Sequence, residues 1–316
     1  MPDPPTVVVA DPIDPAALER LRSGPCRVVD ASGDPTTLRE QLREAWGLIV
    51  RSRTKVTAEL LTAAPRLSLV ARAGVGVDNV DMGAAAARSI RVVNAPAAAT
   101  TSVAELTVAL YLLLVRGVVS SILATKAGRW DRTAHGHELS GKTVGFVGYG
   151  RIAREVARRL VPFGTPTVAY DPFVARSADR TEILPWEALL DRADIVSVHA
   201  ALTTENRHLL DARAFARMRP GSFLVNVARG PLVDEAALLD ALKAGRLAGA
   251  ALDVFEVEPP VNRELLELPN VIATPHIGAM TAEGQARAGG EIVDEVLHAL
   301  RGEPLTALVT APGGVR

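Results

Sequence analysis

The sequence predicts an α/β protein built from two doubly wound, Rossmann-like parallel sheets, and three observations support this fold class. Short runs rich in Val and Ile alternate with segments of helical period. Runs that are apolar on both faces are typical of parallel strands covered by helices on both sides. The alternation restarts near residue 142, so the strands form two series and not a single barrel. The length of 316 residues also favours about two domains.

The predicted strands fall into one series before residue 97 and another after residue 141. The first series comprises TVVVA (6–10), CRVVD (26–30), GLIVRS (47–52), LSLVARAG (67–74) and IRVVNAP (90–96). The second comprises KTVGFVG (142–148), PTVAYD (166–171), DIVSVHA (194–200), SFLVNVAR (222–229), GAALDVF (249–255) and NVIATPH (270–276). The helix-length segments between these runs allow the crossovers that parallel strands require.

Two long helices are predicted to link the two series. Ser102 and Glu105 have the spacing of a capping box, so a helix is expected to begin near residue 103. A second helix is predicted over 282–300, after which the tail LTALVTAP could return to the first series. We therefore predict that residues 98–285 form a cofactor domain inserted in a substrate domain made of residues 1–97 and 286–316.

The composition argues against several classes of protein. A formal net charge of −1 gives no electrostatic reason to expect a nucleic-acid partner. The longest apolar run, residues 106–115, is too short to span a bilayer, and no N-terminal targeting signal is visible. The histidines are scattered without ligand spacing, so no metal is predicted. The sequence therefore indicates a soluble, cytoplasmic protein without a nucleic-acid or membrane partner.

A glycine-rich turn, GYGRIA at residues 148–153, follows a predicted strand and opens a predicted helix. Gly148 would permit the tight turn, and Gly150 would let backbone amides approach a pyrophosphate at the helix N-terminus. Asp171 comes 21 residues after Gly150, at the end of the next strand. A carboxylate there accepts hydrogen bonds from ribose hydroxyls and repels a 2′-phosphate. NAD is therefore the predicted cofactor. NADP remains an alternative, because the nearby Arg176 could bind a 2′-phosphate.

Polar side chains gather where strands of the second series end. They are Asp171, His199, Arg229, Asp253 and His276. In open α/β sheets, ligands bind outside the carboxyl ends of the strands, which favours one shared site. Each residue also has a structural interpretation, because His276 could be a packed strand-end residue and Arg229 a structural ion pair.

The residue types in this group suit hydride transfer to a nicotinamide. A histidine such as His276 can take the proton of a substrate hydroxyl near neutral pH. Glu258 could pair with His276, and Arg229 offers a planar fork that matches a carboxylate. Asp253 could accept a hydrogen bond from the nicotinamide amide. Glu258 as a solvated carboxylate and Asp253 as a helix cap remain alternatives.

Three motifs in this order, NVARG (226–230), LDVFEVEPP (252–260) and TPHIGAMT (274–281), resemble the D-isomer-specific 2-hydroxyacid dehydrogenases. The similarity extends from about residue 45 to residue 290. It implies that an NAD-dependent enzyme interconverts a D-2-hydroxy acid and its 2-keto acid. By position, it implies that Arg229 is the substrate arginine, Glu258 the histidine-orienting glutamate and His276 the acid–base histidine.

Other stretches resemble the family members that act on 3-phospho-D-glycerate, namely VRSRTKVTAELL (50–61), VARAGVGVDNVDM (70–82) and VVNAP (92–96). The resemblance implies that the Val75 and Gly76 amides bind the substrate carboxylate. Arg51, Arg72 and Arg132 are candidates for a substrate phosphate, with ordinary surface arginines as the alternative. It also implies a homodimer formed through the cofactor domain. The predicted cofactor contacts are Gly148, Gly150, Arg151, Ile152, Asp171, His199, Ala228, Asp253 and Gly278.

One departure from the family pattern keeps other functions open. Ala97, Ala98 and Ala99 stand where relatives commonly carry an asparagine. A reductase of hydroxypyruvate or glyoxylate is the alternative within the enzyme class. A more distant alternative is an NAD-sensing corepressor, although this chain has short tails and no low-complexity arm.

Overall fold

The computed structural model describes residues 3–130, 132–133 and 135–309. The chain divides into two compact units: unit 1 comprises Met1–Ala99 with Ala279–Arg316, and unit 2 comprises Thr100–Gly278. The domain boundaries expected from the sequence lie two residues from the first division and seven residues from the second. Unit 2 interrupts unit 1 in chain order.

Unit 1 is built on a parallel sheet whose described strands have the order β2-β1-β3-β4-β5. Its strands are β1 (Thr6–Val9), β2 (Arg27–Asp30), β3 (Ala45–Val50), β4 (Leu69–Arg72) and β5 (Arg91–Asn94). Its helices are α1 (Pro15–Arg22), α2 (Pro35–Leu42), α3 (Ala58–Thr62), α4 (Met82–Ala87) and, from the end of the chain, α12 (Ala282–Arg301). The bounds of α12 confirm the second long helix expected from the sequence.

The sheet of unit 1 has a core on each face. One core joins α1 and α12 through Leu21, Ile292 and Val296, and the other includes Leu42 and Leu61. Strand β1 is buried along its whole length, which explains its continuous run of valines. The tail returns to this unit, as expected, because Leu308 forms an antiparallel bridge with Val93.

Unit 2 is built on a second parallel sheet, with the order β12-β11-β10-β9-β6-β7-β8 among the described residues. Its strands are β6 (Val144–Val147), β7 (Thr167–Tyr170), β8 (Glu182–Ile183), β9 (Ile195–Val198), β10 (Ser222–Asn226), β11 (Leu247–Leu252) and β12 (Val271–Ala273). Its helices are α5 (Thr100–Val115), α6 (Val118–Lys126), α7 (Arg151–Leu160), α8 (Trp186–Arg192), α9 (Ala212–Arg217), α10 (Glu235–Lys243) and α11 (Arg263–Glu267). Short 3₁₀ turns cover Val161–Phe163 and Gly230–Leu232. Every predicted strand is present, whereas β8 was not predicted because two residues carry no periodic signal.

Helix α5 begins earlier than its sequence suggested. It starts at Thr100, so Ser102 is a buried residue inside the helix and the predicted start near residue 103 is wrong. The Glu105 carboxylate lies 3.3 Å from the Arg159 guanidinium instead of closing a capping box. Tertiary packing of the apolar helix faces outweighs the local capping signal. No single described helix has the length and hydropathy to cross a membrane. Helices α5 and α6 have that length and hydropathy only when they are taken together, and a bend of 67° separates them.

Candidate active site

The glycine-rich turn between β6 and α7 has the geometry of a phosphate-binding loop. Gly148 has a φ of +85°, and a Cβ there would lie 2.7 Å from the Ala200 backbone, so only glycine fits. Gly150 is the N-cap residue of α7, and a Cβ there would meet no atom within 4 Å. Because Gly150 has no side chain, the first amides of α7 stay available to an anion. These observations fit a dinucleotide pyrophosphate.

The flanking residues of this loop lie where the sequence predicted them. Arg151 is exposed and Ile152 is half-buried in the first turn of α7. Asp171 follows β7 and accepts hydrogen bonds from the amides of Tyr149 and Phe173, both at 2.8 Å. Each carboxylate oxygen keeps a second acceptor position, so Asp171 can bond these two amides and still accept a hydrogen bond from a ribose hydroxyl.

His276 and Glu258 are brought together across the carboxyl edge of the sheet of unit 2. The His276 Nδ1 lies 2.8 Å from the Glu258 Oε2. A carboxylate can only accept, so the hydrogen-bond pattern assigns the proton to Nδ1 and leaves Nε2 as the acceptor. Their side chains are 50% and 39% exposed, which places the pair at the surface of unit 2. The strand-end histidine is therefore not a packed core residue.

The loop that carries His276 is held by a buried carboxylate. Asp253 is 1% exposed and accepts hydrogen bonds from the Thr274 hydroxyl at 2.7 Å and from the amides of Ile277 and Gly278 at 2.8 Å. The sequence suggested that Asp253 would bind the nicotinamide amide. Its Oδ2 accepts a single bond, from the Gly278 amide, and keeps one acceptor position, so this contact stays a prediction. Asp253 orients residues 274–278, and Gly278 is a buried part of the same loop.

Arg229 follows β10 in a loop that is fixed from both sides. Its guanidinium donates to the Ala228 carbonyl at 2.6 Å, and its own carbonyl accepts from the Asn226 side chain at 2.9 Å. A Cβ on Gly230 would lie 1.8 Å from the Phe255 carbonyl carbon, so glycine is required at this close approach. The loop of Arg229 therefore packs directly on the loop that leads to Glu258.

A charged cluster that the sequence analysis missed joins these two loops. The Glu256 carboxylate accepts from Arg207 at 2.9 Å and bonds the His208 ring at 2.8 Å. Glu256 and Glu235 also exchange backbone-to-carboxylate bonds of 2.6 and 3.1 Å. Burial alone would raise the pKa of Glu256, but the bond from His208 and the amide of Glu235 bring it below its usual value. Its members are far apart in sequence, so only folding reveals the cluster.

His199 lies at the same sheet edge as His276 and has a different environment. Its ring is 2.9 Å from the Ser197 hydroxyl and packs on Phe146 with 5.5 Å between ring centroids. Burial lowers the pKa of His199 to about 3, so the ring is neutral at physiological pH. Its ring is committed to contacts within unit 2, and the predicted cofactor contact at this residue is untested.

The predicted substrate residues of unit 1 lie at the carboxyl ends of two strands: Arg51 directly follows β3, and Arg72 is the last residue of β4. The Arg51 amide donates to the buried Asp11 carboxylate at 2.6 Å, and its guanidinium donates to the Pro12 carbonyl at 3.2 Å. The Arg72 guanidinium lies against Gly74, where a Cβ would be 1.7 Å from it.

The loop after β4 continues through Val75 and Gly76, which are half-buried. The Val75 carbonyl accepts from the Asn94 side chain at 2.6 Å. Arg132 belongs to unit 2 and is exposed. Among the described residues, no group of three or more His, Cys, Asp or Glu side chains is arranged to hold a metal ion.

A dinucleotide loop and an acid–base pair in one Rossmann-like unit are the two parts that a nicotinamide-dependent dehydrogenase requires. Comparison with known proteins agrees with this class. Residues 108–278 match the family model described as the NAD-binding domain of D-isomer-specific 2-hydroxyacid dehydrogenases. The chain belongs to this family, and residues 108–278 are its NAD-binding domain.

Individual relatives extend the similarity over the whole chain. A D-3-phosphoglycerate dehydrogenase from Mycobacterium leprae is 46% identical over 318 residues, which cover 99% of this chain and 60% of that protein. The chain thus spans about three fifths of the length of this relative. The TT0316 protein from Thermus thermophilus has a TM-score of 0.88 at 36% identity, covering 96% of this chain and 100% of the other. A glyoxylate reductase from Paecilomyes thermophila has a TM-score of 0.88 at 30% identity, covering 98% and 99%.

Proposed function

We propose that the chain is an NAD-dependent dehydrogenase that oxidises 3-phospho-D-glycerate to 3-phosphohydroxypyruvate, and that it serves serine biosynthesis. The 2.8 Å bond between His276 and Glu258 is the observation that carries this proposal. An imidazole whose Nδ1 proton is held by a carboxylate presents Nε2 as a proton acceptor. The name of the mycobacterial relative supports the choice of substrate.

When bound, NAD would supply the acceptor for the substrate hydride. Gly148, Gly150 and the first turn of α7 would hold its pyrophosphate, and Asp171 its ribose. During oxidation, His276 Nε2 takes the proton of the substrate hydroxyl and becomes an imidazolium, which the Glu258 carboxylate stabilises. In the reverse direction, the same nitrogen returns the proton to the carbonyl oxygen.

The remaining polar residues of the site bind or orient. The Arg229 fork would bind the substrate carboxylate and stabilise charge that develops on the reacting oxygen. Asp253 holds the loop of His276 through the Ile277 and Gly278 amides. For the substrate phosphate we propose Arg51, Arg72 and Arg132. For the substrate carboxylate we propose the amides of Val75 and Gly76, which have no backbone partner in the described ranges.

The test is NADH oxidation by the purified protein with 3-phosphohydroxypyruvate, hydroxypyruvate and glyoxylate. We expect kcat/KM to favour the phosphorylated acid about a hundredfold, which corresponds to about 2.7 kcal/mol of transition-state discrimination. Arg51→Ala should reduce this preference while leaving turnover of glyoxylate nearly unchanged. Equal kcat/KM values for all three acids would contradict the proposed substrate and leave the proton-transfer assignment standing.

A reductase of glyoxylate or hydroxypyruvate is the second candidate. It is favoured by the similarity to the Paecilomyes glyoxylate reductase, whose fold matches this chain with a TM-score of 0.88 at 30% identity. In this case Arg51, Arg72 and Arg132 would be scaffold residues. A higher kcat/KM for glyoxylate than for 3-phosphohydroxypyruvate in the same assay identifies this function.

We also propose that the chain forms a homodimer in the cytoplasm, where a nicotinamide pool is present. Apolar side chains on and after α6 support a self-association surface in unit 2: Ile122 is 49% exposed, Leu123 61% and Trp130 82%. Leu123→Glu should shift the protein from dimer to monomer in analytical ultracentrifugation. A monomer in the parent protein at micromolar concentration would contradict the dimer.

A further inference from the structure

We propose that Tyr149 is a positioning residue that holds the ribose-recognising carboxylate of Asp171 in place and so sets the preference for NAD over NADP. This inference rests on the proposed use of a nicotinamide cofactor. Tyr149 is the central residue of the Gly-x-Gly turn, where the sequence motif places no requirement on its side chain. The structure gives that side chain specific partners.

The main chain of Tyr149 acts directly on Asp171. Its amide donates a hydrogen bond of 2.8 Å to the Asp171 Oδ2. The phosphate loop and the ribose carboxylate are therefore connected by one residue. This bond fixes the direction of the Asp171 carboxylate, whose negative charge would repel a 2′-phosphate.

The side chain of Tyr149 holds the other end of the segment that begins at Asp171. The ring is fully buried and packs on Phe146 with 5.8 Å between centroids. Its hydroxyl lies 2.7 Å from the Asp179 Oδ2 and 2.6 Å from the Thr181 hydroxyl. Thr181 in turn lies 2.7 Å from the hydroxyl of Thr167 on β7.

The protons of this network can be assigned. Burial raises the pKa of Tyr149 to about 12, so the hydroxyl keeps its proton at physiological pH. Because a carboxylate only accepts, Tyr149 donates to Asp179, and the Thr181 hydroxyl donates to the Tyr149 oxygen. Thr167 can then donate to Thr181. The hydroxyls of Tyr149, Thr181 and Thr167 are therefore all bonded within this network, which makes it a rigid attachment.

Residues 171–181 are thus fixed at both ends by Tyr149. The segment includes Arg176 and Arg180, which are both exposed. These guanidinium groups are the cations that a 2′-phosphate would recruit if the segment could rearrange. Holding the segment at Asp179 and Thr181 keeps Asp171 as the recognising charge. Loss of the Tyr149 hydroxyl should release the carboxyl-terminal end of the segment, where Asp179 and Thr181 are attached.

The test is the equilibrium affinity of Tyr149→Phe for NADH and NADPH, measured by calorimetry without substrate. The ring is retained, so packing on Phe146 persists. We expect NADH to bind about tenfold more weakly and the ratio of the NADPH to the NADH dissociation constant to fall about tenfold. Hydrogen exchange of the amides of residues 171–181 should also become faster. Asp171→Ala, which removes the carboxylate itself, should give the larger change in the same direction.

Tyr170→Phe is the matched control, because it removes a hydroxyl next to Asp171. Tyr170 packs on Trp186, and its hydroxyl makes no hydrogen bond among the described residues, so both affinities should stay unchanged. Asp179→Ala removes the acceptor of the Tyr149 hydroxyl and tests the same attachment if Tyr149→Phe fails to fold. A parental NADPH-to-NADH ratio in both Tyr149→Phe and Asp179→Ala would overturn the inference.

The binding readout also separates this inference from the proposed activity. A parent protein that binds NADH but turns over no 2-keto acid would overturn the activity and leave the effect of Tyr149 measurable. A parent protein that binds neither nucleotide would overturn both.

Discussion

The first strand-to-helix turns of the two units have the same plan and opposite chemistry. In unit 1, the Asp14 side chain caps α1 by accepting from the Ala17 amide at 3.1 Å, and Pro15 brings no N–H to the first turn. In unit 2, Gly150 leaves the start of α7 open. Both helices follow the first strand of a parallel sheet, so architecture does not decide which unit takes a dinucleotide. The difference lies in the capping residue, which fills the helix start in unit 1 and leaves it open to an anion in unit 2.

The strand-end carboxylates of the two units differ in the same way. Asp11, after β1, is 3% exposed and is occupied by the Arg51 amide at 2.6 Å and the Thr54 hydroxyl at 2.8 Å. Asp171, after β7, is only partly buried and keeps acceptor capacity. Unit 1 therefore uses its carboxylate to shape a loop, whereas the carboxylate of unit 2 keeps capacity for the ribose contact proposed above.

The largest expected effect tests whether proton transfer belongs to unit 2 alone. His276→Ala should reduce kcat by about two to four orders of magnitude, because it removes the proposed acceptor of the hydroxyl proton, while NADH affinity stays near the parental value. Steady-state kinetics and calorimetry measure the two quantities. His298→Ala, a matched change in unit 1, should leave kcat unchanged. Parental kcat in His276→Ala would remove the proton-transfer role.

The second largest effect is expected when a helix cap like that of α1 in unit 1 is introduced at the start of α7 in unit 2. Gly150→Asp should weaken NADH binding about a hundredfold, because the new carboxylate would cap α7 and place a negative charge at the pyrophosphate position. Titration of NADH by fluorescence measures this change. Gly150→Ala, which adds a Cβ without a charge or a cap, should lose less affinity. Unchanged binding in Gly150→Asp would mean that the start of α7 does not hold the cofactor.

The reverse change in unit 1 completes this comparison. Asp14→Ala should lower the free energy of unfolding by about 1 kcal/mol, since α1 loses its cap, with no change in NADH affinity. Urea unfolding followed by circular dichroism measures it. A loss of NADH affinity without a loss of stability would contradict the division of roles between the two helix starts.

A smaller effect is expected from the cluster around Glu256, which joins the loops of Arg229 and Glu258. Glu256→Gln should lower kcat about tenfold at an unchanged KM for NADH, because Arg207 and His208 lose their charged acceptor and the loop of Glu258 loosens. Glu267→Gln, the same charge change at an exposed residue of α11, is the control. If only the melting temperature falls and kcat is retained, Glu256 has no positioning role.

The smallest effect separates the two strand-end histidines of unit 2. The folded pKa of His199 is about 3 and its unfolded pKa about 6.5, so its contribution to stability is present above pH 6.5 and is lost as the pH falls. Between pH 7.5 and 5.5, His199→Asn should therefore lose about 1 kcal/mol less stability than the parent. Urea unfolding at the two pH values tests this. An equal loss of stability in His199→Asn and in the parent would mean that the His199 ring is exposed to solvent.

Local patterns predicted much of this molecule. Periodicity predicted both series of strands and the helix over 282–300. Glycine geometry and strand ends predicted the Gly148–Gly150 turn and its distance to Asp171, because these signals act over a few residues. Family motifs also indicated the pair of His276 and Glu258, whose bond the structure contains.

Burial and long-range partners depended on the tertiary structure. His199 and His276 have the same strand-end position in the sequence, yet Ser197 and Phe146 enclose one ring while Glu258 orients the other at the surface. Asp253 became the support of the His276 loop, and α5 began at Thr100 because packing outweighed a local cap.

The sequence by itself determined which segments form strands and helices and where a dinucleotide loop can lie, because those features depend on neighbouring residues. The partners of Tyr149 and Glu256 were decided by the fold. Tyr149 meets Thr181 and Glu256 meets His208 across 32 and 48 positions of chain. Such contacts carry no local signature, since desolvation and hydrogen bonding act only after the chain brings the groups together.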